Sequence, residues 1–188
     1  MRKRVVILAS GTGSLTQAIL DATELDIQIV AVVSDKSDAQ VLERAKKANI
    51  NTSVIELKGD RVAWDRQLFD QVHQYQPDLV ISAGFMKILS SEFVSNFPTI
   101  NSHPALLPEF PGAHAVRDAL AAGVTITGTT VHWVDAGVDT GEIIAQAELD
   151  IAPDDNEESL HERIKILERS LIVATIEQLL STMENGRS

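Results

Sequence analysis

The chain has 188 residues, no cysteine and a formal net charge of −11, from 16 Lys and Arg against 27 Asp and Glu. Without cysteine, disulfides and thiolate–metal sites are excluded. An acidic surface repels phosphate backbones and the apolar runs are too short to span a bilayer, so neither nucleic acids nor membranes are expected partners. The first residues lack a signal-peptide pattern, and we therefore expect a cytoplasmic protein.

Short apolar runs alternate with helical patterns through the first half of the chain. These runs lack polar alternation, which is typical of parallel strands buried on both faces. The predicted strands are Val5–Ala9, Ile27–Val33, Thr52–Leu57 and Leu79–Ile81, and the predicted helices contain Leu15–Ile19, Ala39–Ala45 and Val62–Tyr75. Repeated strand–helix units of this kind predict a parallel sheet with right-handed crossovers.

The pattern changes after the short run Thr99–Asn101. The predicted elements beyond it are a loop over Phe110–Val124, strands over Ile126–Val134 and Glu142–Leu149, and a final helix that opens within Pro153–Ser159. Together, the elements predict an α/β fold, a single-domain Rossmann-like architecture with a mostly parallel central sheet and helices on both faces. We expect this domain to cover residues 1–184, with a flexible tail over 185–188.

A glycine-containing turn, Ser10–Ser14, lies between the first predicted strand and the first helix. Its glycines let backbone N–H groups approach a ligand, and the helix N-terminus behind them offers free N–H groups. A phosphate site is one interpretation. A dinucleotide site is another, because Asp35 follows about 20 residues later, although Thr16 stands where the third glycine would be. A tight turn without a ligand is the third.

Two polar segments of the second half are candidates for catalysis. Asn101 and His103 follow a predicted strand at the edge where open α/β sheets bind ligands. An Asn side chain can stabilise an oxyanion and a His can carry a proton near neutral pH, whereas a capped turn with a structural histidine is the alternative. Asp139, two residues before Gly141, could orient His103 and raise its pKa, or it could be an ordinary turn aspartate.

The other histidines give weaker signals. His114 is near His103 in sequence and is a candidate for the edge of the same pocket. His132 lies within a predicted strand, and we interpret it as a packed strand residue. Because no His, Asp or Glu group has metal-ligand spacing, no metal is expected.

In combination, these segments resemble the phosphoribosylglycinamide formyltransferases, folate-dependent enzymes of purine synthesis. The resemblance extends from about Val5 to Leu180 and is carried by Ser10–Ser14, Ala83–Leu89, Asn101–Gly112, Gly128–Ile144 and His161–Lys165. It implies the family's formyltransferase fold and transfer of a formyl group from 10-formyltetrahydrofolate, as co-substrate, to the amine of 5-phosphoribosylglycinamide. It also implies a cis peptide bond between Leu107 and Pro108.

The resemblance further implies roles for individual residues. Asn101, His103 and Asp139 are implied to be catalytic, and Glu168 is implied to meet the glycinamide end of the acceptor. The implied phosphate and ribose site consists of Gly11, Thr12, Gly13, Ser14 and Leu15. The implied folate site consists of Arg61, Met86, Lys87, Ile88, Leu89 and Asn101.

The sequence also departs from the family pattern. Leu15 stands where many members have Asn, and Lys87 replaces the commoner Arg, whose planar fork a lysine cannot reproduce. Glu109 and Glu142 replace residues of other types outside the catalytic trio. Two alternatives remain open, an amino-sugar nucleotide formyltransferase with the same donor and a dinucleotide-binding module. The oligomeric state is open between a monomer and a homodimer.

Overall fold

The computed structural model describes residues 2–185, and the side chains of residues 2–182. The chain divides into two compact units, of which the first ends at Ile100 and the second begins at Asn101. The segment predicted to be flexible, 185–188, lies outside the described residues except for Asn185, with which the last helix ends. Along residues 2–185, none of the helices is both long and apolar enough to cross a bilayer.

The first unit contains the predicted alternation of strands and helices. Its elements are β1 (Lys3–Leu8), α1 (Ser14–Asp21), β2 (Ile27–Ser34), α2 (Gln40–Lys47), β3 (Asn51–Val54), α3 (Arg61–Gln74), β4 (Leu79–Ser82) and α4 (Ser91–Asn96). The strand order is β3-β2-β1-β4, and all three pairs are parallel. The apolar residues Val5–Leu8 of β1 and Leu79–Ile81 of β4 are buried on both faces of their strands, as is typical of covered parallel strands. Their carboxyl ends share one edge of the sheet, where the loops that follow them meet.

The second unit has a different arrangement. Its elements are β5 (Thr99–His103, which begins in the first unit), α5 (Ala115–Ala122), β6 (Ile126–Trp133), β7 (Ile143–Asp150) and α6 (Glu157–Asn185). The strand order is β5-β6-β7, and β6 pairs with β7 in antiparallel fashion from Ile126 opposite Asp150. A register shift occurs between Val131 and His132. The long helix α6 buries Leu160, Ile164, Ile172 and Ile176.

Most fold predictions are confirmed. The α/β class with a mostly parallel sheet is correct, and the Leu107–Pro108 peptide bond is cis. The prediction of a loop over 110–124 is wrong for its second half, which is the helix α5. This helix buries Ala115, Val116 and Ala119 and is capped by Gly123 in the left-handed conformation (φ 68°). Helix α4, capped by the Ser90 hydroxyl, was also not predicted.

Candidate active site

Strand β5 sends its side chains in two directions. Asn101 and His103 are two residues apart and therefore lie on one face of the strand, whereas Ser102 lies on the other. His103 is buried, and Asn101 is partly exposed. The strand thus places an amide and an imidazole side by side, as the two candidate roles require.

The His103 ring lies between two acceptors. Its Nε2–H donates to the Phe110 carbonyl oxygen at 2.8 Å, and its Nδ1 lies 3.4 Å from Asp139 Oδ2. Only the imidazolium form can donate to both oxygens, since a neutral ring carries one N–H. The predicted contact between Asp139 and His103 is therefore present.

Two opposing effects act on the pKa of His103. Burial lowers the pKa of His103 below its ordinary value, while the Asp139 charge and the Phe110 carbonyl act to raise it. Asp139 acts to raise the pKa of His103, as predicted, but the burial of the ring (3% exposed) outweighs the nearby carboxylate, so the net shift is downward.

Asp139 is held by more than one group. Its backbone has a left-handed φ of 54°, and its Oδ2 accepts the Gly112 N–H at 2.8 Å. Burial opposes ionisation of this carboxyl, but His132, the Gly112 N–H and His103 together lower its pKa below the usual value. Asp139 is therefore a carboxylate at neutral pH and is fixed in orientation.

His132 is the residue of this cluster that sequence reasoning missed. Its Nδ1–H donates to the Trp133 carbonyl at 2.8 Å, so its Nε2 is free to accept from Asn101 Nδ2 at 3.3 Å. The same Nε2 lies 3.5 Å from Asp139 Oδ1. His132 is buried, as predicted for a packed strand residue, but its Nε2 also lies beside both Asn101 and Asp139.

A signal for His132 was present in the sequence. Along β6, Thr130 and His132 share one face, and Thr130 Oγ1 accepts the Leu107 N–H and donates to the Ala105 carbonyl. Polar side chains at alternate positions of a buried strand need partners, and this face serves the segment that follows His103.

Glu168, on α6, lies in the same unit and is almost fully buried. Its Oε1 accepts the Ser102 hydroxyl at 2.9 Å, and burial raises the pKa of this carboxyl despite that bond. No lysine or arginine forms an ion pair with it among residues 2–185. His114, by contrast, is exposed at the start of α5.

The glycine-containing turn is built in the first unit. Gly13 has φ 75°, and a Cβ there would meet Val41 at 2.5 Å, so only glycine fits. Gly13 precedes α1 without a side-chain cap, which leaves the first helical N–H groups for a ligand. Leu15 is buried, so only its backbone could contact a phosphate.

The predicted folate residues of the first unit divide into two groups. Met86 and Ile88 expose their side chains, whereas Leu89 is buried. The two cations are engaged within the chain. Arg61 binds Asp65 through Nε at 2.9 Å, donates to the Ile88 carbonyl and lies over Trp64, and Lys87 pairs with Asp35.

Asp35 does not fit the dinucleotide interpretation. Its side chain is buried and paired with Lys87, so it cannot reach a ribose hydroxyl. Within residues 2–185, no three His, Cys, Asp or Glu side chains are arranged to hold a metal ion.

Comparison with known proteins identifies the family of the chain. The formyl transferase family model matches residues 3–176. Phosphoribosylglycinamide formyltransferase of Mycobacterium tuberculosis is 49% identical over 182 residues, which cover 94% of this chain and 84% of that protein. The protein of the same name from Escherichia coli K12 is 40% identical over 174 residues, covering 89% and 82%.

Structural comparison gives the same result. Phosphoribosylglycinamide formyltransferase from Bacillus halodurans matches with a TM-score of 0.92 at 36% identity, covering 97% of this chain and 98% of that one. The chain therefore belongs to the formyl transferase family and is an enzyme. Within this family it is similar, over nearly its whole length, to the phosphoribosylglycinamide formyltransferases, and the resemblance predicted from the motifs is confirmed.

Proposed function

We propose that this enzyme transfers the formyl group of 10-formyltetrahydrofolate to the amine of 5-phosphoribosylglycinamide, a step of purine synthesis. The observation that carries the proposal is the convergence of Asn101, His103 and Asp139 in one cluster of hydrogen bonds and charges. The names of the relatives supply the acceptor, and the motif resemblance supplies the donor. The proposal includes that the enzyme acts on small molecules and that it does so in the cytoplasm.

The reaction forms one C–N bond and breaks another. The acceptor amine attacks the formyl carbon, and the carbonyl oxygen becomes an oxyanion in a tetrahedral intermediate. The bond to N10 of the folate then breaks, the amine proton moves to N10, and N-formyl product and tetrahydrofolate leave. No covalent bond to the enzyme is required.

Asn101 is suited to stabilise the oxyanion. One N–H of its amide is anchored on His132, which leaves the second N–H to donate to the substrate. His103 contributes a second donor when its Nε2–H exchanges the Phe110 carbonyl for the formyl oxygen. A preorganised donor of this kind typically contributes about 10²–10³ in rate.

The charge balance at His103 suits a proton carrier. Burial favours the neutral ring and lowers its pKa, and the Asp139 carboxylate acts in the opposite direction by favouring the imidazolium. A developing negative charge on the substrate adds to the effect of Asp139 and favours the imidazolium in the transition state. His103 can therefore take up a proton and return one during the same turnover.

The remaining substrate contacts are part of the proposal. The N–H groups of the Gly11–Leu15 turn would bind the phosphate and ribose, and Glu168 would meet the glycinamide end. The folate would contact Asn101 and the surface formed by Met86–Leu89, with Arg61 beside it. The buried position of Asp35 argues against the dinucleotide-binding alternative.

The test is a turnover assay with 10-formyltetrahydrofolate and 5-phosphoribosylglycinamide. We expect tetrahydrofolate to form only when both substrates and the enzyme are present. An amino-sugar nucleotide tested in parallel should not replace the acceptor. Absence of turnover with both substrates at saturation would refute the proposal, and preferential use of the sugar nucleotide would establish the alternative acceptor.

A further inference from the structure

The segment 85–89 alternates between buried and exposed side chains. Phe85 and Leu89 are buried, whereas Met86 and Ile88 are 62% and 53% exposed. Lys87 occupies an inward position of this alternation, and only 28% of its side chain is exposed. An ammonium group placed between two buried apolar residues needs a compensating charge close by.

Asp35 supplies this charge. It follows β2 directly, its side chain is 1% exposed, and its Oδ2 lies 3.1 Å from Lys87 Nζ. Its other oxygen, Oδ1, is buried and has no hydrogen-bond partner among the residues that the structure describes. Because a buried carboxylate without its cation is strongly destabilising, each member of the pair holds the other in place.

Two further contacts hold the backbone on either side of Lys87. The Met86 N–H donates to Ser10 Oγ at 2.8 Å, and the Arg61 guanidinium donates to the Ile88 carbonyl. Ser10 in turn donates its N–H to the Gly84 carbonyl at 3.1 Å. The segment is therefore tied to the loops after β1 and β2 and to the start of α3, and it presents Met86 and Ile88 outward.

We propose that Lys87, through its ion pair with Asp35, is a positioning residue for the formyl donor. The pair fixes the conformation in which Met86 and Ile88 meet the flat ring system of the donor, and the Lys87 charge does not pair with the donor's carboxylates. This inference rests on the proposed function, because the donor site at 86–89 is part of that proposal. The rival arrangement is direct pairing of Lys87 with a donor carboxylate.

Steady-state kinetics of three variants separates the two arrangements. Asp35→Asn and Lys87→Met should each raise the KM for the donor about tenfold and leave the KM for the acceptor within about twofold. The double variant should be no worse than Lys87→Met, since both remove one interaction. Under direct pairing, Asp35→Asn frees the ammonium, and the donor KM stays the same or falls, which would overturn the inference. Lys36→Met, an exposed neighbour with the same charge change, is the matched control and should leave both KM values unchanged.

A donor without the glutamate tail, 10-formyltetrahydropteroate, gives a second discrimination. A positioning role predicts that Lys87→Met raises the KM for both donors by the same factor. Direct pairing predicts an effect on the tailed donor alone, and that result would also overturn the inference.

Hydrogen exchange of peptides covering 83–90 gives a readout without turnover. We expect about tenfold faster exchange in Asp35→Asn than in the wild type, because the Met86 amide loses its fixed partner geometry. Unchanged exchange together with an unchanged donor KM would refute the inference. If Lys87→Met does not fold, Asp35→Asn and the double variant carry the test. Absence of turnover in the wild type refutes the proposed function instead, while the exchange result still decides whether the ion pair positions the segment.

Discussion

Each unit of the chain contains a carboxylate beside a nitrogen base, but the two pairs are buried in opposite senses. In the His103–Asp139 pair, the ring is the more buried partner, with 4% of its side chain exposed against 14% for the carboxylate. In the Lys87–Asp35 pair, the carboxylate is the more buried partner, with 1% exposed against 28% for the lysine. Which partner is shielded from water determines whether the pair has an adjustable charge or a fixed geometry.

Burial of the ring makes the charge of His103 adjustable, because the neutral imidazole tolerates the site and Asp139 favours the charged form. Burial of the Asp35 carboxylate instead demands a fixed cation, so that pair contributes geometry. A carboxylate beside a nitrogen base thus gives an adjustable charge in one unit and a structural tie in the other. Four substitutions test this contrast, and we order them by the size of the expected effect.

The largest effect is expected for His103→Ala. It removes the proposed oxyanion donor and the proposed proton carrier together, and kcat should fall by about 10³-fold or more. The unfolding midpoint should stay close to that of the wild type, which thermal unfolding followed by circular dichroism would show. His73→Ala, at an exposed position of α3, is the control and should keep full activity. Activity within tenfold of the wild type would remove His103 from the mechanism.

Asp139→Asn should lower kcat/KM by about 10²-fold and change its pH dependence. The Asp139 charge acts to raise the pKa of His103 against burial, so its loss lowers that pKa further. If the reaction draws on the His103 proton, the rate then begins to fall at lower pH, and the deficit is greatest at neutral and higher pH. A pH profile of kcat/KM parallel to that of the wild type would contradict this role for Asp139.

His132→Leu should lower kcat by about tenfold, the size expected for loss of one hydrogen bond in the site. The substitution keeps the volume of the side chain approximately but removes the acceptor that anchors Asn101. Kinetics of the double variant with Asn101→Ala would show whether the two act together. Additive losses would mean that His132 does not position Asn101.

The sequence predicts the members of the candidate catalytic cluster better than it predicts the charge states within it. Asn101, His103 and Asp139 could be found because strand ends and glycine-containing turns place such residues at ligand-binding edges. His132 gave a weaker signal, because a histidine in a buried strand is typical of packing, and its neighbours depend on the pairing between β5 and β6. The direction of the His103 pKa shift depends on burial, which only the fold determines.

The fold was also predictable to a similar degree. Parallel strands with unbroken apolar runs are a strong local signal, and the parallel pairing of the first unit agrees with it. Helix α5 was missed because Pro111, Gly112 and Gly123 indicate a loop at both ends of a short segment. Its helical character comes from the apolar side chains of Ala115 and Val116, which contribute to the core of the second unit.

Glu168 extends the comparison to a carboxyl that forms no ion pair among residues 2–185, and its substitution gives the smallest expected effect. Burial raises the pKa of Glu168 in the folded state, so its ionisation destabilises the fold. The protonated carboxyl contributes to the free energy of unfolding in full below the pKa of Glu168 in the unfolded state. This contribution is lost as the pH rises through the pKa of Glu168 in the folded state. Glu168→Gln keeps an oxygen that accepts the Ser102 hydroxyl but removes the charge. It should raise Tm by about 2–4 °C at pH 7, equivalent to about 1 kcal/mol for a chain of this size, with no gain near pH 4. Equal Tm changes at both pH values would show that the charge of Glu168 does not destabilise the fold. Burial alone would then not distinguish Glu168 from the paired carboxylates.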